Sequence, residues 1–171
     1  GTVAAPNVGG GILIERGKDI TIGPSNLISG NGGAGIRIAP FLGNQQDAVV
    51  IGNLIGVDIA GGVALPNGGV GIQVEGGTWS GQVERLLVGD GTEAGRNIVS
   101  GNAGHGISTV GRVDELEITG NTVGVAGDLS AVVPNGGWGI VIAAGLGQEP
   151  GTPLVQDNVV GGNAGGGISL Q

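Results

Sequence analysis

The chain has 171 residues, a formal net charge of −8 and no cysteine. That acidity, with one lysine against five arginines, argues against nucleic acid or an anionic membrane as partner, and the lack of thiols excludes a disulfide framework or a thiolate metal site. Glycine fills 42 positions with no three-residue period, and 39% of the residues are hydrophobic with few aromatics, so a core of branched aliphatics is available, as strands prefer. No apolar run approaches the roughly 18 residues of a membrane helix. No basic and apolar leader opens the sequence, so the expectation is a mature chain or an excised piece, with residues 1–171 as one domain.

Taken in order, the chain repeats one plan. It opens on Asn7 and Gly11-Ile12, and the first extended runs are 11–15, 19–22 and 26–29. The second set is 35–39, 48–51 and 53–57, followed by an insertion that reaches Val70. Runs 71–75, 85–88 and 97–100 form the third set. The fourth is 106–110, 115–118 and 121–125, with a second insertion up to Trp138. Runs 139–143, 154–156 and 158–160 complete the fifth, which leads into Gly167-Ile168. Six Gly-Ile anchors, at Ile12, Ile36, Ile72, Ile107, Ile140 and Ile168, are spaced by 24, 36, 35, 33 and 28 residues. Such a period means a solenoid. Alternation places Ile12/Ile14, Ile36/Ile38, Ile72/Val74, Ile140/Ile142 and Ile168/Leu170 on one face. Three short strands and three turns per coil predict an all-β parallel β-helix of five to six coils, each strand about 4.8 Å from its counterpart.

Two columns of asparagine follow. One begins the third run of each coil: Asn26, Asn53, Asn97, Asn121 and Asn158. The other precedes each anchor isoleucine by five residues: Asn7, Asn31, Asn67, Asn102, Asn135 and Asn163. Stacked amides donate to one neighbour and accept from the other, so both columns are predicted to be ladders. The two asparagines of a coil stand 5 apart in a short form and 14 apart in a long form, and the forms alternate. The long form carries the insertions 56–66 and 124–134, and Val3-Ala4-Ala5-Pro6-Asn7 looks like the tail of a third. Leaving one corner two rungs apart, the loops are expected side by side. They are apolar enough to fold back over the outward column Leu27, Leu54, Ile98, Thr122 and Val159.

With Gly52-Asn53-Leu54-Ile55-Gly56-Val57-Asp58 and Asn67-Gly68-Gly69-Val70-Gly71-Ile72 as its clearest stretch, the chain resembles the right-handed parallel β-helix superfamily of pectate lyases and polygalacturonases. It is closer still to the repeats of large bacterial secreted and surface proteins. The resemblance covers essentially the whole chain. It implies the right-handed fold and an extracellular or cell-surface location, and leaves lyase, hydrolase, adhesin and stalk open.

Gly104-His105-Gly106 is similar to the Gly-His-Gly stretch of polygalacturonases, but that family's Asn-Thr-Asp, Asp-Asp and Arg-Ile-Lys are missing. Other coils put Gly10, Ala34, Val70, Trp138 and Gly166 in the His105 slot, which makes it a variable outward position. The dinucleotide-like Gly30-Asn31-Gly32-Gly33-Ala34-Gly35 leads into a strand rather than a helix, so it is a repeat turn. Asp47, Glu84 and Asp114 fall at matching places before the second run. A Ca²⁺ ion could relieve their repulsion, as could the neighbouring Lys18, Arg85 and Arg112. Trp79 and Trp138 are candidate glycan contacts. No catalytic residue is assigned. The expected function is a structural rod or scaffold of a secreted or surface protein. Its partners would be flanking coils or other copies stacked end to end on uncapped edges. The alternative is a carbohydrate-binding or carbohydrate-active β-helix with a polysaccharide partner.

Overall fold

The computed structural model describes residues 3, 5–41, 43–76, 82–145 and 152–171. Strands follow one another in threes. The first coil is β1 (Ile12–Ile14), β2 (Gly17–Ile22) and β3 (Leu27–Ile28), and the second is β4 (Ile36–Ile38), β5 (Gln45–Val50) and β6 (Leu54–Ile55). The third is β7 (Ile72–Glu75), β8 (Val83–Val88) and β9 (Ile98–Val99). The fourth is β10 (Ile107–Val110), β11 (Val113–Thr119) and β12 (Thr122–Val123). After β13 (Trp138–Ala143), β14 (Leu154–Gln156) and β15 (Val159–Val160), strand β16 (Gly166–Leu170) begins a sixth turn. Every strand pairs in parallel with its counterparts, giving the sheets β1-β4-β7-β10-β13-β16, β14-β11-β8-β5-β2 and β15-β12-β9-β6-β3. The chain is a right-handed parallel β-helix.

The anchor isoleucines set the register. Ile12, Ile36, Ile72, Ile107, Ile140 and Ile168 stand directly over one another, and the middle four are fully buried. One core of Ile, Val and Leu runs through the coils, from Ile14 to Ile142. Burying a side chain of this kind contributes about 1.5–3 kcal/mol, so each rung adds a comparable increment. The glycine before each anchor allows close approach. A Cβ on Gly106 would lie 2.5 Å from Val123 Cγ1 and 2.6 Å from the Gly139 carbonyl oxygen.

Strands of the second sheet start earlier than alternation suggests. β5, β8 and β11 begin at Gln45, Val83 and Val113, and all three of these side chains are buried. The next buried positions are Ala48, Leu86 and Leu116, three residues on rather than two. In the first two coils the extra residue is a left-handed one, Asp19 at φ 54° and Asp47 at φ 51°. A period-two template loses the strand at such a bulge.

Candidate functional site

Both predicted ladders form, and both run one way. Asn26 Nδ2 donates to Asn53 Oδ1 at 2.9 Å, Asn53 to Asn97 at 3.0 Å, Asn97 to Asn121 at 2.9 Å and Asn121 to Asn158 at 3.0 Å. The second column runs from Asn7 to Asn31, Asn67, Asn102, Asn135 and Asn163, at 2.7, 2.8, 2.9, 3.0 and 2.9 Å. The amide groups do more than touch each other. Asn97 Nδ2 also donates to the Val50 carbonyl at 2.8 Å, and Asn97 Oδ1 also accepts the Asn53 main-chain N–H at 3.0 Å. Asn67, Asn97, Asn121 and Asn135 are completely buried. In that environment each amide must be satisfied, which explains the invariance of the column along the chain.

The inserted loops occupy the expected place. The Gly127 N–H donates to the Gly61 carbonyl at 3.0 Å, so the loops meet across the intervening short coil. Val57, Ala126 and Val133 form a small second core, against which Leu54 and Ile98 pack. Leu27 and Val159, at the two ends of that column, remain exposed. A signal that fastens the loops was overlooked in the sequence: the serine that closes the first two short forms. Ser29 Oγ donates to the Val57 carbonyl at 2.7 Å and accepts the Gly56 N–H at 3.0 Å. Ser100 does the same with the Val125 carbonyl at 2.8 Å and the Gly124 N–H at 2.9 Å. A short coil ending in serine therefore clamps the root of the long loop one rung on. Gly161 holds this place in the fifth coil.

Of the two candidate glycan contacts, the structure describes one. Trp79 lies outside the described residues. Trp138 is half-buried at the start of β13 and leans on the next coil, where a Cβ on Gly166 would come within 2.6 Å of its ring. His105 has a structural partner in the same column: its Nδ1 accepts the main-chain N–H of Trp138 at 2.8 Å. That bond requires the unprotonated nitrogen at Nδ1. The column of Leu13, Arg37, Gln73, Ser108, Val141 and Ser169 is also in register, with Ser108 and Val141 buried. Beside it lies an open groove of about 470 Å³, lined by Leu13, Arg37, Phe41, Glu75 and Val110. Arg37 grips Glu75 through two bonds, Nε to Oε1 at 2.9 Å and Nη2 to Oε2 at 2.8 Å, and Phe41 is 62% exposed. The chain's one phenylalanine, next to Pro40, was the available sign of this groove.

The acidic stack before the second sheet requires correction. Ile20, Ala48, Leu86 and Leu116 share a column, and burying them leaves Glu84 opposite Asp114 as read but moves Asp47 one position away from that match. Asp47 therefore stands over Arg85, which stands over Glu115, while Glu84 stands between Gln46 and Asp114. Asp47 pairs with Arg85, Asp114 pairs with Arg112, and Glu84 accepts from Asn44 at 2.7 Å and Gln46 at 2.9 Å. Side-chain amides and guanidinium groups thus meet the carboxylates that a Ca²⁺ ion was invoked to relieve. Among the described residues, no group of three or more His, Asp or Glu converges into a metal site. No protein-family model, curated protein or solved structure matches the chain.

Proposed function

We propose that the chain is a structural segment, a rod or scaffold of a secreted or cell-surface protein. The observation that carries this reading is the use of its polar groups. Both asparagine ladders, the loop-clamping serines and the charged column all bond coil to coil, which leaves few of these side chains for a substrate. Flanking coils or further copies are the proposed partners at the two ends. At one end Asn7 and Asn26 present amide oxygens, while at the other the Asn158 and Asn163 side-chain amides donate to main-chain carbonyls of their own and the preceding coil, so a head-to-tail junction would have to share those donors. The first sheet has one strand more than the other two. Electron microscopy of the purified chain tests the reading: short rods or filaments support it, and featureless globules overturn it.

A carbohydrate-binding or carbohydrate-active reading is favoured by one observation, the exposed Phe41 beside the paired Arg37 and Glu75 in an open groove. The resemblance to pectate lyases and polygalacturonases supports it too, with Trp138 as a second contact. Incubation with acidic polysaccharides, with and without Ca²⁺, distinguishes the two. New reducing ends or unsaturated products would establish the enzyme. Exchange of His105 for alanine should leave any such activity unchanged, since His105 is held to the main chain of Trp138.

A further inference from the structure

Three asparagines of the second ladder are followed by glycine: Asn31-Gly32, Asn67-Gly68 and Asn135-Gly136. Asparagine is thermolabile, and most so before glycine, where no Cβ hinders attack by the next main-chain nitrogen on the side-chain carbonyl carbon. A fold suppresses that reaction by holding both groups, so its rate follows how often each rung opens.

The three rungs are not held alike. Among the described residues, Asn67 and Asn135 each make four side-chain bonds. The Asn67 oxygen accepts the Asn31 main-chain and side-chain N–H groups, at 3.1 and 2.8 Å, and its amide donates to Ile28 and Asn102. Asn135 is held in the same way by Asn102, Val99 and Asn163. Asn31 makes two. Its oxygen accepts once, from Asn7 Nδ2 at 2.7 Å, and its amide donates once, to Asn67. The attacking nitrogen depends on the same residue, because the Gly32 N–H donates to the Asn7 carbonyl at 2.8 Å. Asn7 is exposed, whereas Asn31 and Asn102, which hold the other two sites, are buried. Displacing Asn7 therefore frees both reacting groups at Asn31. At Asn67 or Asn135 a buried rung must open first.

We propose that Asn31-Gly32 is a site of spontaneous deamidation, and that the reaction loosens the second ladder from that rung. The Gly32 nitrogen bonds to Asn31 Cγ, the Cγ–Nδ2 bond breaks, and the Gly32 proton passes through solvent to the departing ammonia. Water then opens the resulting succinimide to aspartate or isoaspartate. One water is consumed, one ammonia is released, and nothing is oxidised or reduced. The new carboxylate replaces the donor that Asn67 Oδ1 accepted, so two oxygens face each other. Isoaspartate also adds a methylene to the main chain, which displaces the Asn31 N–H and C=O from Asn67 Oδ1 and the Gly68 N–H. Asn67-Gly68 is then the next site to lose its hold. The advance stops at Asn102, whose successor Ala103 carries a Cβ. The step does not reverse, so the rung is a timer built into the coil, whatever the role of the chain.

Peptide mapping by mass spectrometry, during incubation in mildly alkaline buffer, is the test. In the folded chain Asn31 should deamidate about tenfold or more faster than Asn135, with Asn67 following Asn31. In guanidinium chloride the three sites should react alike. Asn7→Ala should quicken Asn31 severalfold and leave Asn135 unchanged. Asn31→Asp, which supplies one product directly, should quicken Asn67 but not Asn135. Equal rates at the three sites in the folded chain overturn the site. An Asn67 rate unchanged by Asn31→Asp overturns the loosening, as does a variant so unfolded that Asn67 and Asn135 quicken alike.

Discussion

Loops 56–66 and 124–134 trace the same backbone with different side chains. In both, the third residue donates to the eighth (Asp58 to Val63, Ala126 to Ala131) and the sixth returns a bond to the third (Gly61 to Asp58, Leu129 to Ala126). In both, an isolated antiparallel bridge closes the root, Val57 with Ala64 and Val125 with Val132. What fills that frame differs. The first loop has a glycine at its left-handed residue and a buried carboxylate that accepts two main-chain N–H groups. Those bonds hold the Asp58 carboxyl below its usual range. The second loop has a strained leucine, an alanine in place of that carboxylate, and an exposed Asp128–Ser130 turn instead. The shared parts are therefore the clamp from the serine below and the second core beneath, not the turn chemistry. Tertiary support determines the loop conformation, and local preference is satisfied in one copy and overridden in the other.

The largest expected effect comes from removing the rung between the two loops. Asn97→Leu leaves the buried Asn53 main-chain N–H without its acceptor and takes a donor from Val50 and Asn121, and should cost about 2–3 kcal/mol, loosening both loops together. Equilibrium denaturation checks it, and near-wild-type stability would mean that the ladder does not hold the coils. Next is the clamp. Ser100→Ala should cost about 1–2 kcal/mol and speed amide exchange in 124–134 but not in 56–66, with Ser29→Ala doing the reverse. Equal loosening of both loops by either change would mean that the loops support each other more than the serines support them.

Leu129→Gly should stabilise by up to about 1 kcal/mol in thermal melts, while Gly61→Ala should destabilise by a similar amount. Matching signs would refute the claim that the two loops differ in strain. The smallest effect is pH-dependent. The Asp58 pKa is lowered on folding, so its stabilisation is complete above the ordinary carboxylate range, about pH 4, and is lost as pH falls through the lowered value. The melting-temperature gap between wild type and Asp58→Ala should therefore shrink in acid. A gap that widened in acid would contradict the assignment. Control changes at Ala126 should show no such dependence.

Much of the fold was legible because a solenoid repeats its constraints. The Gly-Ile anchors, the two asparagine columns and the position of the loops each occur several times, so periodicity alone exposes them. The acidic stack was misread for a related reason. Its register depends on which side chains are inward: counted from the buried Ala48, Leu86 and Leu116, Asp47 is one residue away, whereas Glu84 and Asp114 are two. The serine clamp could have been read from Ser29 and Ser100, each of which precedes a long coil, but its meaning lies in a bond to the next rung. The groove at Phe41 was less accessible still, because Leu13, Arg37, Glu75 and Val110 come from different coils.

The sequence by itself determined the coil: its period, its inward aliphatics, its asparagine corners and the alternation of short and long forms. These are properties of one turn, repeated, and one turn is local in sequence. Only the tertiary structure decided what passes between turns. Asp47 meets Arg85 rather than Glu84, Ser100 grips the following loop, His105 caps Trp138, and Leu129 is held in a glycine's conformation. The first three of these depend on a vertical neighbour 24 to 38 residues away, as for Ser100 with Gly124 and Asp47 with Arg85, and on a rung-to-rung register that packing of the core sets.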